Sequence, residues 1–484
     1  MQKIALLALG DVYWTRFAKH LSGEVAKRNI ELVIVAESRA GEYQSFLRRI
    51  SYEGCTTYYF SDYLQISRGF DSENHPTRPL LCDYLRMSSL GQRKAVLQLN
   101  WENSGNRLGQ FAAEILDIEK PDLILGDTVS TSIGWFFCEY ATRKKIPYWG
   151  LTGSRLPGHF VISTTIDTED IVVSSEYQNI MAGTAPMTTE ELDWASEYIE
   201  GIDSVVPDYM KSPFLNSVAL KKFLKARYIK IILGSILYTI KERNDLRGLA
   251  IRASPITSFL TAIRRNAMRL IKAPLVTRCY ADTGSLDLES DFFLYPIHYQ
   301  PEASTVVGSP FYYDQIEVIR NIAFSLPAGT KLYVKEHISN YGFPPLSFYR
   351  TLVKLPNVTL VDHRADIKKL IRKSRAVITL TSTAGYEALI LNKRVYHFGN
   401  VFYTFHPNAI RVRSWQDLAS QLADQSPLSD DVSTRAFVVA YRRYTHHGRL
   451  DFLRDDFGIS DYILERAARL PGKIAASEPL EAIQ

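Results

Sequence analysis

The chain has 484 residues, 46% of them hydrophobic, and a formal net charge of +5. This length suffices for two or three domains, and the small net charge gives no case for a nucleic-acid partner. The four cysteines form no CxxC pair, which argues against a disulfide scaffold or a zinc site and fits a reducing compartment. The longest apolar run, residues 231–240, is too short to cross a bilayer. The N-terminus has the pattern of a core strand rather than a signal peptide. We therefore expect a cytoplasmic protein that is not integral to a membrane.

The N-terminal pattern alternates strands with helices. Residues 3–9 and 31–36 are predicted strands, and a predicted helix over residues 12–28 lies between them, which is the start of a parallel α/β sheet. The first turn, Leu9-Gly10-Asp11, lacks the GxGxxG fingerprint, so we discount a dinucleotide-dependent dehydrogenase. Later predicted elements are helices over residues 40–50, 85–116 and 131–144, and strands over residues 122–125 and 147–151. We predict a first Rossmann-like domain over residues 1–185.

The middle of the chain is predicted to be a helical, basic insert over residues 186–285. Between residues 216 and 278, lysines and arginines alternate with apolar residues. One interpretation is a helical insert with a solvated basic face. Another is a helix that lies on an anionic membrane surface, where basic and apolar residues bind cooperatively. Nucleic-acid binding is the third and least favoured interpretation of this segment.

A second α/β unit follows over residues 286–425. Its predicted elements are a strand at 292–296, a helix at 314–325, and two short strands with polar ends. The first of these strands stops at Lys335-Glu336-His337, and the second, residues 376–380, stops at the turn Thr381-Ser382-Thr383-Ala384-Gly385. We predict helix from about residue 414 to residue 469, with residues 426–484 folding back. On a helix, the adjacent His446 and His447 would diverge, so no metal site is expected there.

The turn at residues 381–385 precedes a predicted helix over residues 386–391. Several backbone N–H groups at a helix N-terminus lack internal partners, and the helix dipole favours an anion there. His337, at the end of another strand, offers a second donor to the same anion. Ligands of open α/β sheets gather at the carboxyl ends of strands. The sequence therefore predicts half of a binding site for a phosphate-bearing ligand.

Four short motifs occur in a fixed order: HYQPEAST at 298–305, KEH at 335–337, NVTL at 357–360 and STAGYEAL at 382–389. Over roughly residues 290–400 this order resembles the capsule polysaccharide biosynthesis family, which includes the Kdo transferases of bacterial capsule and lipopolysaccharide assembly. The resemblance implies a GT-B fold, with two Rossmann-like domains facing across a cleft and the sugar nucleotide mainly on the second. Residues 1–185 would then form the domain that binds the saccharide acceptor. It also implies a nonulosonate or Kdo-like donor carried on CMP, with no metal and no cofactor. The chain has no DxD motif placed to hold a diphosphate-bound metal.

Several family roles carry over to the loops after the strands. Gln300-Pro301 matches the family's Gln-Pro motif. His337 matches the histidine of its His-Pro motif, although Ile338 stands where proline is expected. Lys335 and His337 are then donors to the phosphate that departs, where such interactions contribute most to catalysis. His298 is a further binding candidate, with an interior structural histidine as the alternative.

The turn and its helix carry the remaining family roles. Ser382 and Thr383 match the hydroxyl pair that binds phosphate, and Glu387 matches the glutamate that accepts hydrogen bonds from the nucleotide ribose. A Ser/Thr turn of this kind is also a common N-cap, which is the structural alternative.

Glycosyl transfer also needs a carboxylate, either as a base or as a nucleophile, and the sequence leaves both routes open. Asp127 is the leading candidate because it ends a predicted strand of the first domain, although it could instead cap the helix that follows. Asp11 holds the equivalent position after the first strand. Glu302 could act there or hold the donor sugar. Arg155 could bind the carboxylate of an acidic sugar through its guanidinium fork.

These observations predict a metal-independent glycosyltransferase of surface polysaccharide assembly. It would transfer a Kdo-like or other nonulosonic acid from a CMP-sugar to a saccharide, or to a lipid-linked saccharide at the inner face of the inner membrane. One alternative is a GT-B transferase that uses a UDP- or GDP-sugar. The other is a non-catalytic assembly or export partner with the same fold.

Overall fold

Two β-sheets with flanking helices form the framework of the protein. The computed structural model describes residues 2–9, 12–44, 49–65, 78–89, 101–166, 170–211, 223, 225–247, 254–282, 284, 286–424, 426–450 and 456–470. The central strands are almost wholly buried, which is typical of parallel sheets covered on both faces.

The first sheet has the strand order β13-β6-β5-β4-β1-β2-β3. Strands β1 to β5 pair in parallel, while β6 is antiparallel to β5 and β13 is antiparallel to β6. The order reverses between β1 and β4, so the switch point of this sheet lies there. The strands are Gln2–Leu7 (β1), Ile30–Ala36 (β2), Thr56–Tyr59 (β3), Leu123–Asp127 (β4), Tyr148–Gly153 (β5), His159–Ser163 (β6) and His446–His447 (β13).

The second sheet has the order β12-β11-β10-β7-β8-β9, and all of its pairs are parallel. This is the doubly wound order of a Rossmann fold, and it reverses between β7 and β10. The strands are Phe292–Pro296 (β7), Lys331–Lys335 (β8), Val358–Val361 (β9), Ala376–Thr379 (β10), Arg394–His397 (β11) and Ala409–Arg411 (β12). The predicted α/β class is confirmed: the chain forms two Rossmann-like α/β units, with helices between and after them.

The described helices fall into three groups along the chain. Those before residue 185 are Val12–Ala26, Ala40–Gln44, Phe60–Tyr63, Arg78–Ser89, Trp101–Glu119, Ser132–Arg143 and Asp170–Met181. The middle group is Thr189–Glu200, Ala226–Lys241, Arg243–Arg247 and Pro255–Thr277. The remainder are Ala303–Val306, Gln315–Ser325, Leu346–Leu352, Ile367–Lys373, Thr383–Ile390, Trp415–Ala423, Asp431–Tyr444 and Ser460–Ala468.

The C-terminal region differs from the continuous helix predicted from its pattern. The helix Asp431–Tyr444 ends at Thr445, which is extended, and His446–His447 then pairs with β6 as an edge strand. The helical placement of His446 and His447 was therefore wrong, because strand pairing overrides local propensity here. The helix predicted over residues 85–116 also differs, since its described parts belong to two separate helices.

The two sheets are linked by packing as well as by the chain. The helix Asp170–Met181 contributes Val173 and Tyr177 to the hydrophobic cluster that also holds Phe292 and Val377 of the second sheet. Arg443 joins three helices of this region by ion pairs. Its guanidinium lies 2.6 Å from the carboxylate of Glu176 and 2.7 Å from that of Glu191. Across the described ranges, no helix is both long and apolar enough to span a membrane.

A candidate active site at the second sheet

The sequence motifs meet at the switch point of the second sheet. β7 and β10 are neighbours there, so the HYQPEAST loop after β7 lies beside the turn after β10. β8 flanks β7 on its other side and ends at Lys335, directly before Glu336 and His337. The Thr381 hydroxyl donates a 3.0 Å hydrogen bond to the Ser304 carbonyl, which joins two of these loops. The crevice at this edge is where a doubly wound sheet binds its ligand.

The turn after β10 caps the helix Thr383–Ile390. Ser382 is the N-cap residue, and its Oγ accepts a 3.1 Å hydrogen bond from the Ala384 amide. The expectation of several unpaired amides in this turn was wrong. The Thr381 amide donates to His298, the Ser382 amide to Thr379 Oγ1 at 3.0 Å, and the Gly385 amide to the Ser382 carbonyl. An anion here would therefore meet the Ser382 hydroxyl proton and the helix dipole rather than a row of free amides.

His298 holds this turn in place. Its Nε2 lies 3.1 Å from the Thr381 amide and 3.2 Å from Thr379 Oγ1. Because Nε2 accepts the amide hydrogen, the ring is neutral and carries its proton on Nδ1. Burial lowers the pKa of His298 to about 3, which agrees with the neutral form. The structure thus gives His298 a positioning role for the turn, in line with the structural alternative.

His337 is oriented by the loop that follows it. The Ser339 amide donates a 3.1 Å hydrogen bond to Nδ1 of His337, which leaves the proton on Nε2. Burial and the neighbouring Lys335 charge lower the pKa of His337 to about 4, so the imidazole is neutral at physiological pH. The protonated form of His337 would lower the pKa of His298, so the two imidazoles are close. Within the described ranges, the Nε2 proton of His337 has no acceptor, and it is available to a ligand.

Glu336 is a residue that the sequence reasoning missed. It is 1% exposed, and four donors converge on its carboxylate: the His337 amide at 2.9 Å, Tyr349 at 2.8 Å, Tyr280 at 3.1 Å and Asn340 at 3.3 Å. The sequence offered a signal for a separate role of Glu336. Side chains alternate along a strand, so Glu336 should face the opposite side of the sheet from Lys335. The buried carboxylate fixes the backbone on which His337 stands.

Lys335 and Glu387 lie at the side of the site nearer to β9. Lys335 is 8% exposed, and its Nζ donates to the carbonyls of His363 at 3.1 Å and Glu336 at 3.3 Å. Glu387 is 9% exposed, and burial raises the pKa of its carboxyl to about 7 despite the nearby Lys368 and Lys335. The carboxyl of Glu387 makes no hydrogen bond to another described residue. It is thus a hydrogen-bond acceptor for which a ligand hydroxyl would be a suitable partner.

The other motif residues of the HYQPEAST loop have different surroundings. The Gln300 side chain donates to the Tyr313 carbonyl at 2.7 Å and accepts from Gln315 at 2.9 Å, so it shapes the loop. The Gln300–Pro301 peptide bond is cis. Glu302 is exposed and accepts a 3.0 Å hydrogen bond from Ser304. Thr383, partly exposed, is the first residue of the helix that Ser382 caps.

The candidates from the first sheet have two different settings. Asp127 ends β4 at the switch point of that sheet, and the N-cap of the following helix is Thr131, which accepts from the Gly134 amide at 3.2 Å. Asp127 is therefore not the cap of that helix. Asp11 lies outside the described residues.

Arg155 reaches across to the second unit. Its amide donates to Tyr441 at 3.1 Å, and its guanidinium lies 4.7 Å above the ring of Phe402. The neighbouring Tyr403 donates to the Ser382 carbonyl at 3.2 Å. Arg155 is thereby brought close to the turn that carries Ser382.

Comparisons with solved structures return distant likenesses. A β-Kdo 2,7-transferase, KpsC of Thermosulfurimonas dismutans, aligns at 11% identity over 69% of this chain and 80% of that chain, with a TM-score of 0.35. The β-Kdo 2,4-transferase of the same KpsC aligns at 12% identity over 66% and 79%, with a TM-score of 0.36. A UDP-GlcNAc 2-epimerase from Neisseria meningitidis aligns at 13% identity over 96% and 99%, with a TM-score of 0.24. No curated protein matches the sequence.

The match to a family model is more specific than these overlaps. Residues 255–407 match the model described as capsule polysaccharide biosynthesis protein. The matched range holds the QPE, KEH and STAGYEAL motifs together, which are the residues that carried the resemblance. It begins at Pro255, where the long helix Pro255–Thr277 begins. Residues 255–407, which include the whole switch point of the second sheet, are therefore similar to the capsule polysaccharide biosynthesis family.

Proposed function

We propose that this protein is a cytoplasmic glycosyltransferase of bacterial surface polysaccharide biosynthesis. In this proposal it transfers a Kdo-like or other nonulosonic acid from a CMP-sugar to a saccharide acceptor, without a metal ion. The observation that carries the proposal is the pair of hydrogen-bond donors at the switch point, His337 Nε2 and the Ser382 hydroxyl. Glu387 lies on the helix that follows Ser382, where a ribose hydroxyl would supply its missing hydrogen bond.

A single phosphate suits this pair of donors better than a diphosphate. The cation of the KEH motif, Lys335, is already hydrogen-bonded to two backbone carbonyls. A diphosphate leaving group would be expected to need more positive charge or a metal ion at this place. Neutral donors aimed at one phosphate match a CMP-sugar, in which one phosphate departs.

The mechanism follows from where charge develops. The glycosidic bond to phosphate breaks through an oxocarbenium-like transition state, and negative charge grows on the departing phosphate. Donors that are already oriented toward this charge stabilise it without reorganisation. His337 is held in the donor tautomer by the Ser339 amide, and Ser382 is held by the helix that it caps.

The acceptor hydroxyl needs a base on the opposite side of the sugar. We propose Asp127 for this role, because it ends β4 at the switch point of the first sheet. Asp11 and Glu302 are the competing carboxylates. Asp127→Asn should lower kcat about 100-fold or more while CMP binding stays unchanged, since general-base catalysis typically contributes 10²–10⁴. Full activity of Asp127→Asn would move the role to one of the other two.

The first test is a thermal-shift panel with CMP, UDP, GDP and their sugar conjugates, with and without EDTA. A ligand that binds only the native state raises the melting temperature by mass action. Stabilisation by CMP that EDTA leaves unchanged is the expected result. Stabilisation by UDP or GDP alone would contradict a CMP-sugar donor and would favour a transferase that uses a UDP- or GDP-sugar. No response to any nucleotide would favour a non-catalytic assembly or export partner.

A second proposed property is attachment to an anionic membrane surface. On the helix Ala226–Lys241 the apolar residues Ile229, Leu233, Ile236 and Ile240 are exposed, the last by 67%. Lys225, Lys230 and Lys241 are exposed on or beside the same helix. An apolar stripe with flanking cations is the pattern of an interfacial helix. Attachment would bring the site to a lipid-linked acceptor.

A further inference from the structure

The long helix Pro255–Thr277, here called the covering helix, is packed with its polar side inward. Arg269 is 2% exposed and Asn266 is 6% exposed, whereas Ile271 is 66% exposed and Leu260 is 59% exposed. A helix of a globular protein ordinarily buries its apolar stripe. This reversal places arginine side chains against the loops of the second sheet.

Two residues of this helix hold the loop that follows His337. Arg269 donates to the Ile338 carbonyl at 2.8 Å and also to the Tyr341 carbonyl. Lys272 donates to the carbonyls of Phe343 at 3.0 Å and Pro344 at 2.7 Å. Both cations have backbone partners, so their structural role is clear.

Arg265 lies one turn before Arg269 and has no such partner. Its guanidinium stands 4.6 Å above the ring of Phe343, as that of Arg269 does. Within the described part of the chain, it makes neither a hydrogen bond nor an ion pair. Burial lowers the pKa of Arg265, because the charged guanidinium is poorly solvated there. A bound anion would offset this cost.

The position of Arg265 relates it to the donor site. Its charge acts on Tyr299 of the HYQPEAST loop, and the ring of Tyr299 stacks on that of His337 at 6.1 Å between centroids. Glu387, on the helix beyond Ser382, carries the role proposed for the nucleoside. Arg265 is thus connected to His337 through Tyr299, and our proposal places the sugar of a bound donor on this side of His337.

We propose that Arg265 binds the carboxylate of the acidic sugar on the donor nucleotide and selects for it. This inference rests on the proposed function, because it assumes a donor that carries such a sugar. The planar guanidinium can bind a carboxylate with two parallel hydrogen bonds, which a neutral sugar does not offer. The role first expected of Arg155 is thus assigned to a residue of the covering helix.

The test is isothermal titration of CMP and of CMP-Kdo into the wild type, Arg265→Gln and Arg264→Gln. Arg264 is the matched control, because it is the adjacent, exposed arginine of the same helix. We expect Arg265→Gln to weaken CMP-Kdo binding at least 10-fold, with CMP binding within about 2-fold of the wild type. Arg264→Gln should bind both as the wild type does, and Arg265→Lys should fall between.

The other outcomes separate the explanations. Equal weakening of CMP and CMP-Kdo would mean that Arg265 binds the phosphate, and the carboxylate proposal would be overturned. Unchanged binding of both would remove Arg265 from the site. If the wild type bound neither compound, the proposed function would fail, and this inference with it. A lower melting temperature of ligand-free Arg265→Gln would indicate a structural role, whereas relief of an unpaired buried charge predicts an equal or higher one.

Discussion

The backbone amide of Ser339 lies 3.1 Å from Nδ1 of His337 and donates a hydrogen bond to it. This single bond decides which imidazole nitrogen faces a ligand with a proton. His337→Ala should therefore lower kcat about 100- to 1,000-fold, the usual effect of removing one such donor. His337→Asn keeps an acceptor near the Nδ1 position without a donor at Nε2, so it should be as inactive as alanine. His337→Gln places an amide N–H near the Nε2 position and should recover part of the rate.

The lowered pKa of His337 leads to a prediction for how stability and transfer rate depend on pH. Because burial lowers the pKa of His337 to about 4 from its ordinary 6.5, the native state resists protonation of this ring. The corresponding stability is present above pH 6.5 and is lost as the pH falls towards 4. The transfer rate should show no titration of His337 between pH 6 and pH 8. A rate that falls as an imidazole of pKa near 6.5 loses its proton would contradict a neutral donor.

Glu387→Gln should change stability in a pH-dependent manner. Burial raises the pKa of Glu387 to about 7 from its ordinary 4.5, so the native state keeps this proton to a higher pH than the unfolded chain does. Wild-type stability should fall, relative to the variant, as the pH rises from 4.5 through 7. At pH 8 the variant should be more stable by up to about 3 kcal/mol, with no advantage at pH 4. Urea unfolding at both pH values measures this, and nucleotide affinity should fall in the same variant.

Glu336→Gln should lower both stability and kcat, although Glu336 itself is not proposed to contact a ligand. The amide nitrogen of glutamine would face donors where the carboxylate accepts four hydrogen bonds, so we expect a loss of about 1–3 kcal/mol in the free energy of unfolding. Because the His337 amide is one of those donors, kcat should fall more than the affinity for CMP. Tyr280→Phe removes only one donor and is the control, with a smaller effect on both. A variant with wild-type kcat would show that Glu336 is not needed to position His337.

Gly385→Ala tests the packing of the turn. A Cβ atom at Gly385 would overlap the Tyr403 hydroxyl and lie 2.9 Å from its Cζ. Tyr403 is buried and donates to the Ser382 carbonyl, so its displacement should loosen the turn and cost about 1–3 kcal/mol of stability. Adding Tyr403→Phe should recover part of this loss, because the overlapping hydroxyl is then absent. A melting temperature equal to that of the wild type would show that the turn can accommodate the added Cβ atom without loss of stability.

Vesicle flotation tests the membrane proposal. Replacing Ile229, Leu233 and Ile240 with serine should reduce binding to anionic vesicles about 10-fold or more, because both apolar burial and charge hold an interfacial helix. The control replaces three exposed apolar residues elsewhere, Ile118, Phe324 and Val432, and should bind as the wild type does. Salt should weaken wild-type binding. Equal flotation of the two triple variants, or none for the wild type, would remove the proposal.

The sequence predicted the strands β1, β2, β4, β5, β7, β8 and β10 from their apolar runs. β7, β8 and β10 are short apolar runs with polar ends, and they lie within one or two residues of their expected bounds. β3 and β12 were not predicted, because they lie at sheet edges and are only partly buried. β6, β9 and β11 were not predicted either, although they are largely buried; each is only four or five residues long. β13 was mistaken for helix, since two histidines carry no strand signal of their own. The domain limits near residues 185, 285 and 425 stay predictions.

The site was less predictable than the fold. The turn, the histidine and the glutamate came from a motif order, but the pairing of the turn amides depends on His298, a contact between separate loops. Arg265 was missed because the covering helix buries its polar side, whereas a helix of a globular protein ordinarily buries its apolar stripe. Its apolar residues Leu260 and Ile271 have the pattern of a core stripe, and only the packing shows that the arginines face inward.

The helix Ser460–Ala468 contributes to the hydrophobic core of the first sheet. Ile463 and Leu464, from the helix Ser460–Ala468, share a hydrophobic cluster with Ile4, Leu6 and Phe17, and the Gln2 side chain donates to the Ala467 carbonyl. During synthesis on a ribosome, this cluster therefore cannot close before the helix Ser460–Ala468 has been made. Contacts so distant in sequence slow folding and leave apolar surface exposed meanwhile. This core can therefore form only after residues 460–468 have left the ribosome, and until then the apolar surface of the first sheet is open to a chaperone.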